Sequence, residues 1–341
     1  MPAHEMRVVV IGESLVDIIS DPRQPEEIQV HPGGSPLNVA VGAARLGLHT
    51  SLVTHFADDR HGLLIGEHLR SNVVHVINGG TAPTSTALAT LGPDGAADYT
   101  FAITWEINGA ALPALAAVEG SAHVHTGSIA TVLPPGDQAT LALVQAAREH
   151  ATVSYDPNCR PGISPDAAVA RHQAELFVAA SDVVKASDED LCWLYPDRTP
   201  DETLEAWLAL GPAVVAVTRG SAGPVVQSRD GRVELAAEPI AVADTVGAGD
   251  SFMAALLSGL SQLGALGTTG RRTRLKSLTR DELHALAAYA NRAAAITCSR
   301  QGANPPRKDE LGPLTWPSTA GEPVRSLRSP SGTAADQNHI R

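Results

Sequence analysis

Residues 244–252 read Asp-Thr-Val-Gly-Ala-Gly-Asp-Ser-Phe, and Phe252–Leu260 then carry apolar residues at helical spacing. The pattern predicts a helix that starts near Gly249 or Asp250. Successive backbone N–H groups of Gly247, Ala248 and Gly249, in a turn at a helix N-terminus, form a concave donor array suited to an anion. Asp250 falls in the first turn, where the helix dipole favours a negative charge. A permanent carboxylate is a poor partner for a phosphate, because like charges repel. It is a good base for a hydroxyl that is about to be phosphorylated. Helix capping is the competing reading of the same residues. The chain has no GxxxxGK[ST] segment, and GAGDSF does not continue into GxGxxG, which argues against a P-loop and a dinucleotide fold.

A second constellation is Pro32–Gly47, PGGSPLNVAVGAARLG. Gly33 and Gly34 before a helix allow a small ligand to approach the backbone closely. Asn38 offers a donor and an acceptor at the helix start, which suits a polyol hydroxyl; a turn with an N-cap is the plainer alternative. In Tyr155–Arg160, YDPNCR, Arg160 follows a predicted strand, the end at which α/β proteins present ligand-facing residues. A structural salt bridge is the other reading of Arg160. His123 and His125 are two apart on a predicted strand and point the same way, so a metal pair is conceivable. With no third ligand nearby in sequence, packing and hydrogen bonding account for them better.

The elements that position these residues alternate. RVVVIG at 7–12 is a β-branched run that ends at glycine, and further strands are predicted near Ala122–Thr126, Ala151–Tyr155, Asp182–Lys185 and Ala213–Thr218. Helical patterns lie between them, near Gly136–Glu149, Ala167–Ala179 and Asp201–Leu210, and a long helix is predicted at Asp281–Ser299. Such alternation implies a parallel sheet with helices on both faces. Thr84–Leu91 and Asp98–Ile103 flank the turn-rich GPDGAA and predict a hairpin outside that sheet, part of a small flap or lid to which Glu26–His31 adds a strand. Leu260–Arg280 is rich in Gly, Thr and Arg and predicts a surface connection. Residues 317–341 predict a disordered tail.

Composition narrows the function classes. Lys plus Arg is 25 against 37 for Asp plus Glu, a net charge of −12, which opposes a non-specific nucleic-acid surface. Cys159, Cys192 and Cys298 are scattered and odd in number, so neither a disulfide framework nor a zinc knuckle is indicated, and a reducing cytoplasm fits. The N-terminus is unlike a signal peptide, and no apolar run approaches the ~20 residues of a membrane span.

Taken together, GG-S-x-x-N-x-A…A-x-x-L-G near the N-terminus and D-T-x-G-A-G-D-S-F late in the chain resemble the two signature regions of the PfkB, or ribokinase-like, carbohydrate kinases, over about residues 6–312. The resemblance implies a Rossmann-like αβα sandwich over residues 6–316 with a small β-sheet lid from segments near 13–32 and 84–104. It implies an ATP-dependent sugar kinase in which Asp250 is the base and Gly247, Ala248 and Gly249 form the anion hole. Asp17, Gly33, Gly34, Asn38 and Arg160 would contact the sugar, and Lys185, Ser187, Thr218, Gly220, Gly223 and Asn291 the nucleotide. Lys185–Asp190 is similar to the family's K-x-N-x-x-E, with Ser187 for Asn and Asp190 for Glu, so Asp190 would serve magnesium with a shorter reach. Asp244, Val246, Thr297, Arg300 and Gly302 match a monovalent-cation site of several members, where Pro306 replaces a frequent serine and leaves one ligand of a potassium ion missing. GGSPLNVA, HTGS and YDPNCRP are most similar to fructokinase-type members, so fructose leads as substrate, ahead of 2-keto-3-deoxygluconate and ribose. Tyr99, Phe101 and Trp105 are expected among the lid side chains that shape the pocket, and pairing of lids into a homodimer is expected. A non-catalytic sugar or nucleotide sensor is the alternative of a different class.

Overall fold

β1 (Arg7–Ile11) explains the main sheet: Val8 and Val10 enter one apolar core while Val9 and Ile11 enter another, all of them buried. An all-apolar strand with this period of two must be covered on both faces. The same division recurs in β11 (Val214–Thr218), where Val214 and Ala216 face the first core and Val215 and Val217 the second. The other strands of this sheet are β4 (His49–Thr54), β5 (His75–Asn78), β8 (His123–Gly127), β9 (Thr152–Asp156), β10 (Val183–Ser187), β12 (Val225–Ser228) and β13 (Arg232–Glu234). Their order is β13-β12-β11-β10-β9-β8-β1-β4-β5, with β12 antiparallel to both β11 and β13 and every other pairing parallel. The structure, a computed structural model, describes residues 6–20, 23, 28–91 and 97–316; the expected tail at 317–341 lies outside the described residues.

One face carries α1 (Ser35–Arg45), α2 (Arg60–Ser71), α8 (Ala248–Gln262), α9 (Thr269–Lys276), α10 (Arg280–Cys298) and the short α11 (Lys308–Leu311). The other carries α3 (Ala111–Glu119), α4 (Gly136–Ala147), α5 (Ala167–Ala179), α6 (Asp188–Leu194) and α7 (Pro200–Leu210). This is a Rossmann-like αβα sandwich. Among the described residues no helix is long and apolar enough to cross a membrane.

A second sheet has the order β3-β2-β6-β7, from β2 (Leu15–Ser20), β3 (Gln29–Gly33), β6 (Ser85–Leu91) and β7 (Ala97–Ala102). β2 and β6 run parallel, while β2–β3 and β6–β7 are antiparallel.

Two expectations are corrected. Leu260–Arg280 is not a plain surface connection: α8 runs to Gln262, α9 forms, and Ala265, Leu266, Leu275 and Leu278 are buried. The arginines concealed this, yet Arg272 is itself an anchor, pairing with Asp182 at 3.0 Å and donating to the carbonyls of Arg148 and Ala151. Trp105 shapes no lid. It is fully buried in the second core, its indole donates to Thr140 Oγ1 at 3.0 Å, and a Cβ on Gly136 would meet it at 2.3 Å. His123 and His125 are engaged as expected, in hydrogen bonds between strands. His123 bonds the hydroxyls of Thr152 and Ser154 at 2.9 and 2.8 Å, and His125 Nδ1 bonds the same Ser154 hydroxyl at 2.8 Å. Burial pushes both imidazoles down to about 3, so they stay neutral cross-strand links.

α1 and α8 cross where Gly42 meets Ala254; a Cβ on Gly42 would lie 2.8 Å from the Ala254 Cβ. Gly42→Val forces the two helices apart and should lower stability by about 1–3 kcal/mol in urea titration; an unchanged midpoint would contradict this packing.

Candidate active site

The C-terminal ends of β1, β8, β9, β10 and β11 open toward one side of the main sheet, the side on which α/β proteins gather ligand groups. α1 and α8 bring their N-termini there. Gly247, at φ +75°, is the N-cap of α8, a left-handed conformation that a side chain would strain; a Cβ would also lie 2.7 Å from the Cβ of Ala303. No side chain caps α8, so no side chain takes up the amides of its first turn, although the Ala248 N–H donates weakly to the Thr245 carbonyl at 3.3 Å. Asp250 sits in that turn, 8% exposed, and accepts from Asn38 Nδ2 at 2.8 Å and from Ser35 Oγ at 2.6 Å.

Asp17 approaches from the second sheet. A Cβ on Gly33 would lie 2.2 Å from Asp17 Oδ2, so the Asp17 carboxylate rests against the glycine backbone. Gly34, the N-cap of α1, links this contact to Asn38. Burial raises Asp17 above the usual carboxylate range, against the lowering charges of Arg160 and His31. Arg160 is exposed, and its Nη1 donates to the carbonyls of Asn158 and Cys159 at 3.2 and 2.9 Å. The salt-bridge reading of Arg160 has no counterpart among its described contacts; its charge acts on Asp17 and on Glu13.

A second group of side chains at this end of the sheet comes from β9 and β10. Lys185, on the same pleat as Val183, reaches past Gly249; a Cβ there would be 2.8 Å from its Nζ. Nζ donates to Asp156 Oδ2 at 2.8 Å, and both groups are buried. Burial lowers Lys185, but Asp156, Asp190 and Asp250 outweigh it and leave the ammonium raised. Burial pushes Asp156 to about 6 against the pull of Lys185, so this pair is ionised at neutral pH. Ser187 and Asp190 form a capping box on α6: Ser187 Oγ accepts from the Asp190 N–H at 3.0 Å and Asp190 Oδ2 from the Ser187 N–H at 2.9 Å. Asp190 Oδ1 also accepts from the Cys159 N–H at 2.7 Å.

The remaining residues fall into two groups. Thr218 ends β11, its hydroxyl 3.4 Å from the Ala186 carbonyl, and leads into the Gly220–Gly223 turn; a Cβ on Gly223 would lie 2.1 Å from the Leu235 carbonyl oxygen. Asn291 on α10 donates to the next carbonyl, that of Ala236, at 2.9 Å, so Gly223 and Asn291 border the same strip of chain. At the far corner Asp244 accepts from the N–H groups of Val246 at 3.0 Å and Gly302 at 2.9 Å. Thr297 is buried, its hydroxyl bonded to Ser251 Oγ at 2.7 Å and to the Ala293 carbonyl at 3.0 Å. Arg300 pairs with Glu310 at 2.6 Å.

These arrangements combine a helix N-terminus without a side-chain cap, a carboxylate in its first turn and a neighbouring group of Asp17, Gly33 and Asn38. A profile of pfkB family carbohydrate kinases matches residues 6–310. The chain belongs to that family. A fructokinase of Rhizobium leguminosarum bv. trifolii is 31% identical over 260 residues, covering 74% of this chain and 79% of its own. A probable fructokinase of Arabidopsis thaliana is 31% identical over 323 residues, covering 90% and 96%. Among solved structures, a double-mutant fructokinase of Vibrio cholerae O395 with fructose, ADP and a potassium ion bound superposes with a TM-score of 0.71 at 25% identity, covering 90% of this chain and 95% of that one. As a member of this family the chain is a phosphotransferase acting on a sugar hydroxyl.

Three side chains at the kinase site escaped the sequence reading: Glu13, Ser35 and Asp156. Asp156 and Ser35 lie inside motifs already singled out, and Glu13 follows the glycine that ends β1. Glu13 is 2% exposed and accepts from the Ala130 N–H at 3.3 Å and from the Ser128 side chain. Burial raises it from 4.5 to about 7 against the lowering charge of Arg160. A carboxyl raised on folding stabilises the protein fully below its unfolded value and loses that contribution as the pH climbs through 7. Glu13→Gln should therefore remove about 3 kcal/mol of the fall in stability between pH 5 and pH 8. Urea midpoints of both proteins at the two pH values test this, and parallel pH slopes would contradict it.

Proposed function

We propose that the chain is an ATP-dependent fructokinase with Asp250 as its general base. The observation that carries this reading is the position of the Asp250 carboxylate, buried at the N-terminus of α8 beside uncapped amides and joined to Asn38. The fructokinase relatives, and the fructose and ADP bound to the Vibrio cholerae protein, support fructose and an adenine nucleotide as the substrates.

In this reading Asp17 and Asn38 orient the sugar against Gly33 and Gly34, with Arg160 at the pocket edge. Asp250 accepts the proton of the reacting hydroxyl as its oxygen attacks the γ-phosphorus in line. The bond between that phosphorus and the β–γ bridging oxygen breaks, and ADP departs with the electron pair. The amides of Gly247, Ala248 and Gly249, with Lys185, bind the transferred group, whose charge they stabilise in a water-poor site. Thr218, Gly220, Gly223 and Asn291 hold the nucleotide, with Ser187 at its phosphate end. The second sheet, with its segments near 13–32 and 84–104, closes over the sugar as a lid, which excludes water from the phosphoryl group. Its outer strands β3 and β7 offer edges to a second copy of the chain.

Three carboxylates, Asp156, Asp190 and Asp250, surround the single ammonium of Lys185, so a triphosphate needs added positive charge. Among the described residues no group of three or more His, Cys, Asp or Glu could hold a metal ion by itself. The oxygens of Asp190 already accept backbone N–H bonds, and those of Asp156 accept from Asn158 N–H and Lys185. This donor set would suit magnesium that arrives with the nucleotide; Asp190 would help to hold it, and when bound it would supply positive charge to the phosphates. We place potassium at the Asp244–Gly302 corner, with backbone carbonyls as the chief ligands; Val246, Thr297 and Arg300 border it. Three cysteines, none of them in a disulfide, are consistent with residence in the cytoplasm.

A coupled ADP-release assay over a panel of sugars tests the substrate, with fructose expected to turn over fastest. Asp250→Asn keeps the shape of the side chain and removes the base, and should lower kcat by about 10²–10⁴-fold while ATP binding persists. Turnover near that of the parent protein would exclude Asp250 as the base.

A further inference from the structure

Serine at a helix start ordinarily caps its own helix, but Ser35 does not. The N-cap of α1 is Gly34, no side chain caps that helix, and the following residue, Pro36, has no N–H to receive. The Ser35 hydroxyl instead reaches across 215 residues of sequence and donates to Asp250 Oδ1 at 2.6 Å. Both residues are buried, 7% and 8% exposed. Asn38, one turn further along α1, donates to the other oxygen at 2.8 Å, so the two carboxylate oxygens are fixed by two donors from one rigid element.

We propose that Ser35 is a positioning residue for Asp250, setting the rotation of its carboxylate and its readiness to accept a proton; this rests on the reading of Asp250 as the base. A serine hydroxyl has one proton. Because an ionised carboxylate can only accept, that proton is committed to Oδ1. With Oδ1 and Oδ2 each tied once, the carboxylate cannot rotate freely, and its remaining lone pairs point in fixed directions. A hydrogen bond to a carboxylate also favours its ionised form. The charged groups acting on Asp250 are Lys185 of β10 and Asp156 of β9, while α1 brings only the uncharged Ser35 and Asn38 to it. Ser35 is thus the contact that can be deleted without changing any charge at the site.

The test is the pH profile of kcat for Ser35→Ala and Ser35→Thr, with fructose and ATP saturating and circular dichroism as a check on folding. Ser35→Ala is expected to lower kcat about tenfold, in line with loss of a hydrogen bond to a charged group, with little change in KM for ATP. Its acid limb should move to higher pH, because the ionised carboxylate has lost a donor. Ser35→Thr, which keeps the hydroxyl, should leave that limb where the parent protein has it. An acid limb that stays in place in Ser35→Ala would overturn the proposal, whether kcat falls or not, since a packing defect lowers the rate without moving the limb. Asp250→Asn is measured alongside. If that variant is inactive and the limb of Ser35→Ala does not move, the Ser35 role alone fails. If Asp250→Asn turns over normally, the base reading fails and the Ser35 role with it.

Discussion

The site depends on one meeting of two helix N-termini. α1 and α8 are separated by about two hundred residues of chain, yet Ser35 and Asn38 of one hold the carboxylate of Asp250 on the other. That contact requires α1 and α8 to pack closely, which Gly42 permits at Ala254. It also requires α8 to begin without a side-chain cap, which Gly247 secures by turning the chain at positive φ. In the proposed reading the sugar floor and the phosphate hole would therefore share a wall. A shift of that wall would move the proposed base relative to both substrates at once, and misplacements of about 1 Å cost catalysis heavily.

Charge explains much of the remainder. The protein is acidic overall, and the candidate phosphate side gathers three carboxylates around Lys185. Such a cluster would reject a triphosphate if it acted alone. In the proposed reading, backbone amides, the buried ammonium and a cation arriving with the nucleotide would reverse the local sign. Asp156 is the counterpart that keeps Lys185 buried and charged, because an ammonium without a partner in that position would be far costlier to bury. Asp190 ties the start of α6 to the Cys159 N–H in the loop after β9, and so fixes the Asn158–Arg160 turn.

Each motif alone, glycines with a polar residue at a helix start, reads equally well as a capped turn; the two were legible because they occur together, in the order and spacing of the family's signature regions. The alternation of strands and helices was legible because a doubly covered sheet demands apolar runs. What stayed hidden was set by tertiary contacts. Glu13 looks like any acid after a strand until the turn at Ser128–Ala130 closes over it. Ser35 reads as a helix cap until its hydroxyl is seen to leave its own helix. Trp105 follows a flap strand in sequence but is drawn into the main core by Thr140 and Gly136. The basic stretch around α9 read as surface because an arginine buried against Asp182 has the same composition as an exposed one.

The most direct test of the central claim is a crystal structure of the protein with fructose and a non-hydrolysable ATP analogue bound together. The account predicts one sugar hydroxyl within about 3 Å of an Asp250 carboxylate oxygen, and the terminal phosphate on the amides of Gly247–Gly249. A ternary complex in which the sugar turns its hydroxyls away from Asp250, or in which the terminal phosphate sits elsewhere, would contradict it.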